Sequence, residues 1–230
     1  MLLERLSRPV RGVRIITKSA SPIGAQVVPH RRLEASEVLR IVEHLTPRVQ
    51  GPIVTSALTT VEQDGFREAG FIERESLHLL RHGLDLVPDH TRPSRLRAGR
   101  RTDLSRVLEI DAQSFDDFWK LDREGLQSAR RATPVHHYRI ATVERQIVGY
   151  AVTGRAGPAS FFQRLGVAPE ARGNGIGAQL VADAIDWAIG ERSTSMLVNT
   201  QIINTNALRL YERLGFELNR EQLKVLEWPQ

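Results

Sequence analysis

Three glycines at alternate positions follow an arginine in Arg172-Gly173-Asn174-Gly175-Ile176-Gly177. Glycine lets a backbone approach a ligand closely. At the start of a helix, the unpaired N–H groups and the positive end of the dipole favour phosphate. The flanking residues predict that setting. Ala159 to Val167 has the character of a strand and is stopped by Pro169. Ile176 to Ile189 is apolar at Ile176, Leu180, Ala184 and Ala188, and again at Gly177, Val181, Ile185 and Ile189. That is one helical face, with Gln179, Asp183 and Asp186 turned to water and Gly190 as the stop. Strand, glycine turn and helix N-terminus together make an anion site. It is neither a dinucleotide fingerprint nor a P-loop, because the glycine spacing differs and no Lys-Ser/Thr follows Gly177. Arg172 reads either as a ligand contact or as a solvated turn residue.

The pattern R-x-x-G-x-G resembles the pyrophosphate loop of the GNAT superfamily of acetyl-CoA-dependent N-acetyltransferases. Further on, Asn204-Thr205-Asn206-Ala207-Leu208-Arg209-Leu210-Tyr211-Glu212-Arg213-Leu214-Gly215-Phe216 is similar to a second GNAT signature, N-x-x-A-x-x-L-Y-x-x-x-G-F, with every fixed position filled. The resemblance covers residues 93–230 and implies an α/β GNAT fold, a mixed central β-sheet flanked by helices. It implies acetyl-CoA as acyl donor, bound by the loop from Arg172 through Gly173, Asn174, Gly175 and Ile176 to Gly177. It also implies that Leu165, Gly166 and Val167 lie on a strand that splays from its neighbour. Their backbone would then hold the pantetheine like an added strand. Asn204 would lie near the pantetheine arm, and the Tyr211 hydroxyl would protonate the departing thiolate. The plainer reading of Tyr211 is a core tyrosine ending a helix at a glycine cap.

Amine acetylation needs a base for the acceptor, a donor for the oxyanion and an acid for the thiolate. Backbone N–H groups around Leu165–Val167 can polarise the thioester. The base is harder to find. Relatives that acetylate ribosomal-protein N-termini commonly carry Glu on the strand entering the Asn loop, where this chain has Leu197-Val198-Asn199-Thr200-Gln201. Asp116, Asp117, His136 and His137 are substitutes by location only. Phe115 and Trp119, with Phe118, fall where GNAT domains build the acceptor wall. They serve equally well as packing for the first two helices. Asp116 and Asp117 suit a cationic acceptor.

The helix at Thr102-Asp103-Leu104, a second over Asp122–Arg131, strands at Arg95–Arg97, Tyr138–Val143, Gln146–Thr153, Met196–Thr200 and Leu223–Trp228, and a turn at Glu144-Arg145 complete the expected GNAT order. The first 90 residues hold an echo. Phe66-Arg67-Glu68-Ala69-Gly70-Phe71 matches Tyr211 to Phe216, with Phe71 and Phe216 standing 145 residues apart. A strand over Ile53–Leu58, an amphipathic helix over Leu33–Leu45 and a strand through Leu77, Leu79 and Leu80 extend the match. Residues 1–90 therefore read as a half-length GNAT-like α/β unit, degenerate and non-catalytic because Phe66 lacks the hydroxyl, ahead of a catalytic domain at 93–230. The alternative is a common glycine cap with its hydrophobic contact.

The composition fits a cytoplasmic enzyme. Hydrophobic residues make up 41% of 230, and no stretch approaches the ~20 apolar residues that span a bilayer. Met1-Leu2-Leu3-Glu4-Arg5 lacks the apolar core of a signal peptide. Zero cysteines exclude disulfides, thiolate metal sites and a cysteine acyl-enzyme. No metal is expected, and transfer is direct unless a serine intervenes. The net charge of +5 is carried by arginine, since the only lysines are Lys18, Lys120 and Lys224. The cluster Arg92, Arg95, Arg97, Arg100 and Arg101 reads as a linker into a strand in preference to a nucleic-acid surface. Oligomeric state stays open. Three functions fit: transfer to a primary amine such as a protein or peptide N-terminus; acetylation of a small molecule such as an antibiotic, amino acid or thiol precursor; or an acetyl-CoA-binding regulatory module without turnover.

Overall fold

Period-2 and period-3.6 patterns resolve into ten strands and six α-helices among the described residues, 10–17 and 23–229, of a computed structural model. The opening Met1–Arg5 and Lys18 lie outside the described residues. In chain order the elements are β1 (Val13–Thr17), β2 (Ala25–Pro29), α1 (Ala35–Leu45), β3 (Ile53–Thr55), α2 (Thr60–Glu68), β4 (Ile72–His82) and β5 (Arg95–Ala98). Then follow α3 (Leu104–Ser114), α4 (Arg123–Arg131), β6 (Val135–Val143), β7 (Gln146–Ala156), β8 (Ala159–Val167), α5 (Ile176–Gly190), β9 (Ser195–Gln201), α6 (Thr205–Arg213) and β10 (Glu217–Glu227). The chain divides into two compact units, one of residues 1–78 with 220–230 and one of residues 79–219. The division falls inside β4 and β10.

In the first unit β1 pairs antiparallel with β2, β2 runs parallel to β3, and β3 meets the end of β10 antiparallel. Helices α1 and α2 cover a core of Val27, Val38, Ile41, Leu45, Leu58, Phe66 and Leu226, all fully buried. Phe71 packs edge-on against Phe66 at 5.2 Å and tilts against Trp228 at 5.4 Å. Helix α2 and strand β4 have the same lengths as α6 and β10, and each begins 145 residues earlier. Gly70 and Gly215 both take positive φ, 105° and 86°, and Phe71 and Phe216 donate their N–H to the Phe66 and Tyr211 carbonyls, each at 3.0 Å.

In the second unit the strands run β4-β9-β8-β7-β6-β5, with β8 and β9 parallel and β8 to β5 antiparallel. Successive residues of β7 point to opposite faces. Beyond Gly149 stand Ile176 and Leu180 of α5, whereas the Tyr150 hydroxyl reaches Asp111 of α3, so these helices cover opposite faces. Glu144 and Arg145 both adopt left-handed φ (48° and 66°), the geometry of a tight hairpin turn, as the sequence predicts.

Several local expectations are corrected. Gln179 is buried, not solvated, because its amide accepts from Ser94 N and Oγ and donates to Ser94 O. Asp183 is half-buried in an ion pair with Arg139 at 2.9 Å. Ile189 is exposed, whereas α5 does stop at Gly190, the left-handed turn following at Arg192. A 3₁₀ turn over Arg101–Asp103 precedes α3, which therefore starts at Leu104, and Asp103 receives both Arg97 nitrogens at 2.7 Å. The strand expected over Ile53–Leu58 stops at Thr55, and Leu58 forms a single bridge to Lys224. The helix expected from Leu33 starts at Ala35.

Candidate active site

The glycine loop leads into α5 with Gly173 and Gly175 at φ 79° and 81°, values that side-chain-bearing residues rarely adopt. Gly175 is the helix N-cap and supplies no side-chain bond, and the first turn holds no acid. The first N–H groups of α5 therefore lack an internal anion. A Cβ at Gly177 would stand 3.3 Å from Leu210 and 3.9 Å from Leu165 and Val167. Those residues line a cleft of about 660 Å³ together with Arg172, Gly173, Gly175, Ile176 and Asn204.

Next to this cleft the sheet opens. Strands β8 and β9 pair from Ala159↔Ser195 to Phe162↔Val198 and no further. Opposite Val152 and Thr153 of β7 the register skips Gln163, a bulge that re-aims β8 where it leaves β9. Beyond it Arg164 to Val167 keep their β7 partners on one edge, and among the described residues the other edge has no registered strand. Gly166 is buried within this stretch, under the Tyr150 ring, which a Cβ would meet at 2.5 Å. Asn204 caps α6 by accepting the Ala207 N–H at 3.0 Å. Arg172 donates to Val167 O (3.0 Å) and Gln113 O (2.9 Å), tying the loop to the ends of β8 and α3. Asn174 donates to Ala171 O and is not among the cleft-lining residues.

Residues 104–216 match the model of the acetyltransferase (GNAT) family. N-alpha-acetyltransferase RimI of Mycobacterium tuberculosis is 32% identical over 133 residues, 55% of this chain and 80% of that protein. The chain belongs to the GNAT acetyltransferase family. Among solved structures, a GCN5-related N-acetyltransferase from Kribbella flavida superposes with a TM-score of 0.65 at 16% identity, covering 98% of this chain and 93% of that one. A tandem GNAT protein from the clavulanic acid biosynthesis pathway gives 0.67 at 13% identity, over 95% and 79%. At these identities they speak for the fold. The chain is thus an N-acetyltransferase of the GNAT fold, and the donor of its family is acetyl-CoA.

Within this GNAT enzyme Tyr211 is buried against Phe162, the last paired residue of β8, with ring centroids 6.2 Å apart, and against Phe216 at 5.6 Å. It thus sits where the strands part. Its hydroxyl has no hydrogen-bond partner among the described residues, and burial pushes its pKa up, so it stays protonated as a donor. His82 is nearby, tilted against Phe216 at 5.1 Å, but its Nδ1 accepts the Leu84 N–H and burial lowers its pKa. That imidazole is a buried neutral structural group.

The residues not read from the sequence as functional are Asp111, Tyr150 and Arg164. Asp111 is fully buried on the apolar face of α3 and receives Arg164 through two bonds at 2.8 and 2.9 Å, with Tyr150 as a third donor. It also accepts the Leu121 N–H at 2.6 Å, and Arg164 donates to Trp119 O at 2.7 Å while lying 3.3 Å above the Phe115 ring. One buried ion pair thereby pins both ends of the Phe115–Leu121 loop. The signal was an acid at a position of α3 where the periodicity demanded an apolar residue. Phe115 and Trp119 are half-buried in this clamp and do not line the cleft. Each residue considered as a base has another task. Asp116 accepts the Phe118 and Trp119 N–H groups, Asp117 pairs with Lys120, His136 neighbours Arg130, and His137 bonds Asp183 and stacks on Trp187.

Proposed function

We propose that this GNAT enzyme transfers the acetyl group of acetyl-CoA directly to a primary amine at the N-terminus of a protein or peptide. The observation that carries the reading is the parting of β8 and β9 at Phe162/Val198, beside a helix N-terminus without a side-chain cap and a tyrosine with a free hydroxyl. Each group then has a task. The N–H groups at the start of α5, with Gly173 to Gly177, hold the pyrophosphate. Leu165, Gly166 and Val167 offer backbone to the pantetheine, and an N–H on the same edge donates to the thioester oxygen as it gains charge. Asn204 keeps its amide nitrogen for the ligand while its oxygen caps α6. Tyr211 donates its proton towards the leaving sulfur. The half-buried aromatics of the Phe115–Leu121 loop, held by Asp111 and Arg164, and the exposed carboxylates of Asp116 and Asp117 suit an approaching N-terminal ammonium. The α-amine acceptor is also that of the 32%-identical mycobacterial relative by its name.

We further infer that residues 1–90 are a decayed, non-catalytic GNAT-like half-unit, and that 93–230 form the catalytic domain. The shared element lengths of α2–β4 and α6–β10, and phenylalanine in the place of Tyr211, support this. The deciding experiment incubates the enzyme with acetyl-CoA and matched peptides, one with a free N-terminus and one blocked there with a free lysine, beside a polyamine panel. Mass spectrometry should find acetylation confined to the free α-amine. Turnover on polyamines alone would replace this reading with small-molecule acetylation.

A further inference from the structure

A second concavity of about 450 Å³ in residues 79–219 shares no lining residue with the cleft. Five arginines line it. Arg100 and Arg101 come from the turn after β5, and Arg123, Arg130 and Arg131 from one face of α4. No carboxylate lines it, and among the described residues none of the five forms an ion pair. Nearby Arg97 shows the usual arrangement, with its guanidinium neutralised by Asp103 at 2.7 Å. The charge of Asp103, already paired with Arg97, reaches Arg100 and Tyr138. Five cations with no carboxylate among the lining residues repel one another, which a solvated surface avoids by interspersing acids.

The floor adds an independent observation. Tyr138 of β6 is only 7% exposed, and among the described residues its hydroxyl has no hydrogen-bond partner; the buried Nε of Arg130 has none either. The Arg130 guanidinium lies 4.8 Å from the centroid of the Tyr138 ring. His136 completes the wall, its pKa lowered by burial and by the charge of Arg130. Buried polar groups normally find partners, so two orphans in one arginine-lined hollow point to a ligand rich in acceptors.

We propose that this hollow binds a small phosphorylated molecule, its phosphate held by Arg101, Arg123 and Arg131 and one oxygen reaching the Tyr138 hydroxyl. Arginine forks match phosphate oxygens bidentately. A phosphate that draws the Arg130 guanidinium off the ring gives both orphaned atoms an acceptor. The volume is that of a small-molecule site. The arginines converge on one hollow, whereas a nucleic-acid strand is tracked by cations spread along a groove. The site lies outside the acetyl-transfer cleft and does not depend on the acceptor proposed above.

The test is a calorimetric titration of inorganic pyrophosphate into the full chain. Gly177→Glu, which closes the acetyl-CoA cleft, should still bind one pyrophosphate. The triple variant Arg101→Ala/Arg123→Ala/Arg131→Ala, built on Gly177→Glu, should bind it at least about tenfold more weakly with an unchanged circular dichroism spectrum. Because the three arginines are exposed, folding should not depend on them. Tyr138→Phe, which removes only the hydroxyl, should weaken binding by about tenfold. Undiminished binding in the triple variant would overturn the proposal, as would loss of all binding in Gly177→Glu. Binding of a twenty-nucleotide single-stranded RNA without binding of pyrophosphate would overturn it in favour of a nucleic-acid contact.

Discussion

Helices α1 and α5 end 145 residues apart, at Leu45 and Gly190, and satisfy their N-termini in opposite ways. At α1 the chain supplies its own anion. The Glu37 carboxylate accepts the Glu34 N–H at 3.2 Å and is held by Arg31 through two bonds at 2.6 and 2.9 Å. At α5 the cap is Gly175, and no acid stands in the first turn. The second pair repeats the contrast. Helix α2 is closed by Thr59, whose N–H reaches Glu62 at 2.8 Å, and carries Phe66 fully buried; α6 is capped by Asn204 and carries Tyr211 with a free hydroxyl. The local folds coincide and the polar details do not. A helix N-terminus closed by its own carboxylate has no call for a phosphate, and one left open does. Chemistry in this molecule separates at the helix ends.

The sharpest way to break the comparison is at the tyrosine. Tyr211→Phe makes α6 resemble α2 and should lower kcat by about 10²–10⁴-fold, the usual range for a lost general acid, with acetyl-CoA affinity unchanged by calorimetry. Next in size is Asp111→Ala, which leaves Arg164 buried and unpaired. Removing one partner of such a pair costs about 3–5 kcal/mol, measurable by urea unfolding. Gly177→Glu gives the start of α5 a carboxylate, as α1 has, without straining the backbone. It should weaken acetyl-CoA binding about a hundredfold and abolish a ligand-induced rise in Tm of roughly 5–10 °C.

The smallest effect concerns α1. Its Glu37 carboxyl is lowered from 4.5 to about 2, chiefly by the Arg31 hydrogen bonds and then by the Glu34 N–H. A depressed carboxyl stabilises the fold fully above its unfolded pKa and ceases to do so as pH falls through its folded value. Glu37→Gln should therefore lower Tm slightly at pH 7. Its difference from the parent should shrink from about pH 4.5 downward and vanish below about pH 2.

The loop, the two signatures and most elements were legible because each rests on short-range chemistry. Gly173 and Gly175 are required by positive φ, Asp122 caps α4 through the Gly125 N–H, and the period-3.6 stripe of α5 is read directly. What escaped depends on partners distant in sequence. The helical period turns Gln179 to water, because nothing near it announces Ser94, 85 residues away. Asp111 finds Arg164 at a separation of 53, so its role as the clamp of the Phe115–Leu121 loop emerges only when α3 packs on β8. The 145-residue echo was visible through Gly70-Phe71 and Gly215-Phe216. The closure of α1 by Glu37 was not, since it requires Arg31 to turn back over the helix start.

Amide hydrogen exchange with and without excess acetyl-CoA tests the central contrast most directly, because it reads both helix starts in one sample. Protection should appear at Gly173 to Ala178 and along Gln163 to Val167, where the sheet has parted, with no change at Glu34 to Val38. Protection at the start of α1, or none at the start of α5, would contradict the account.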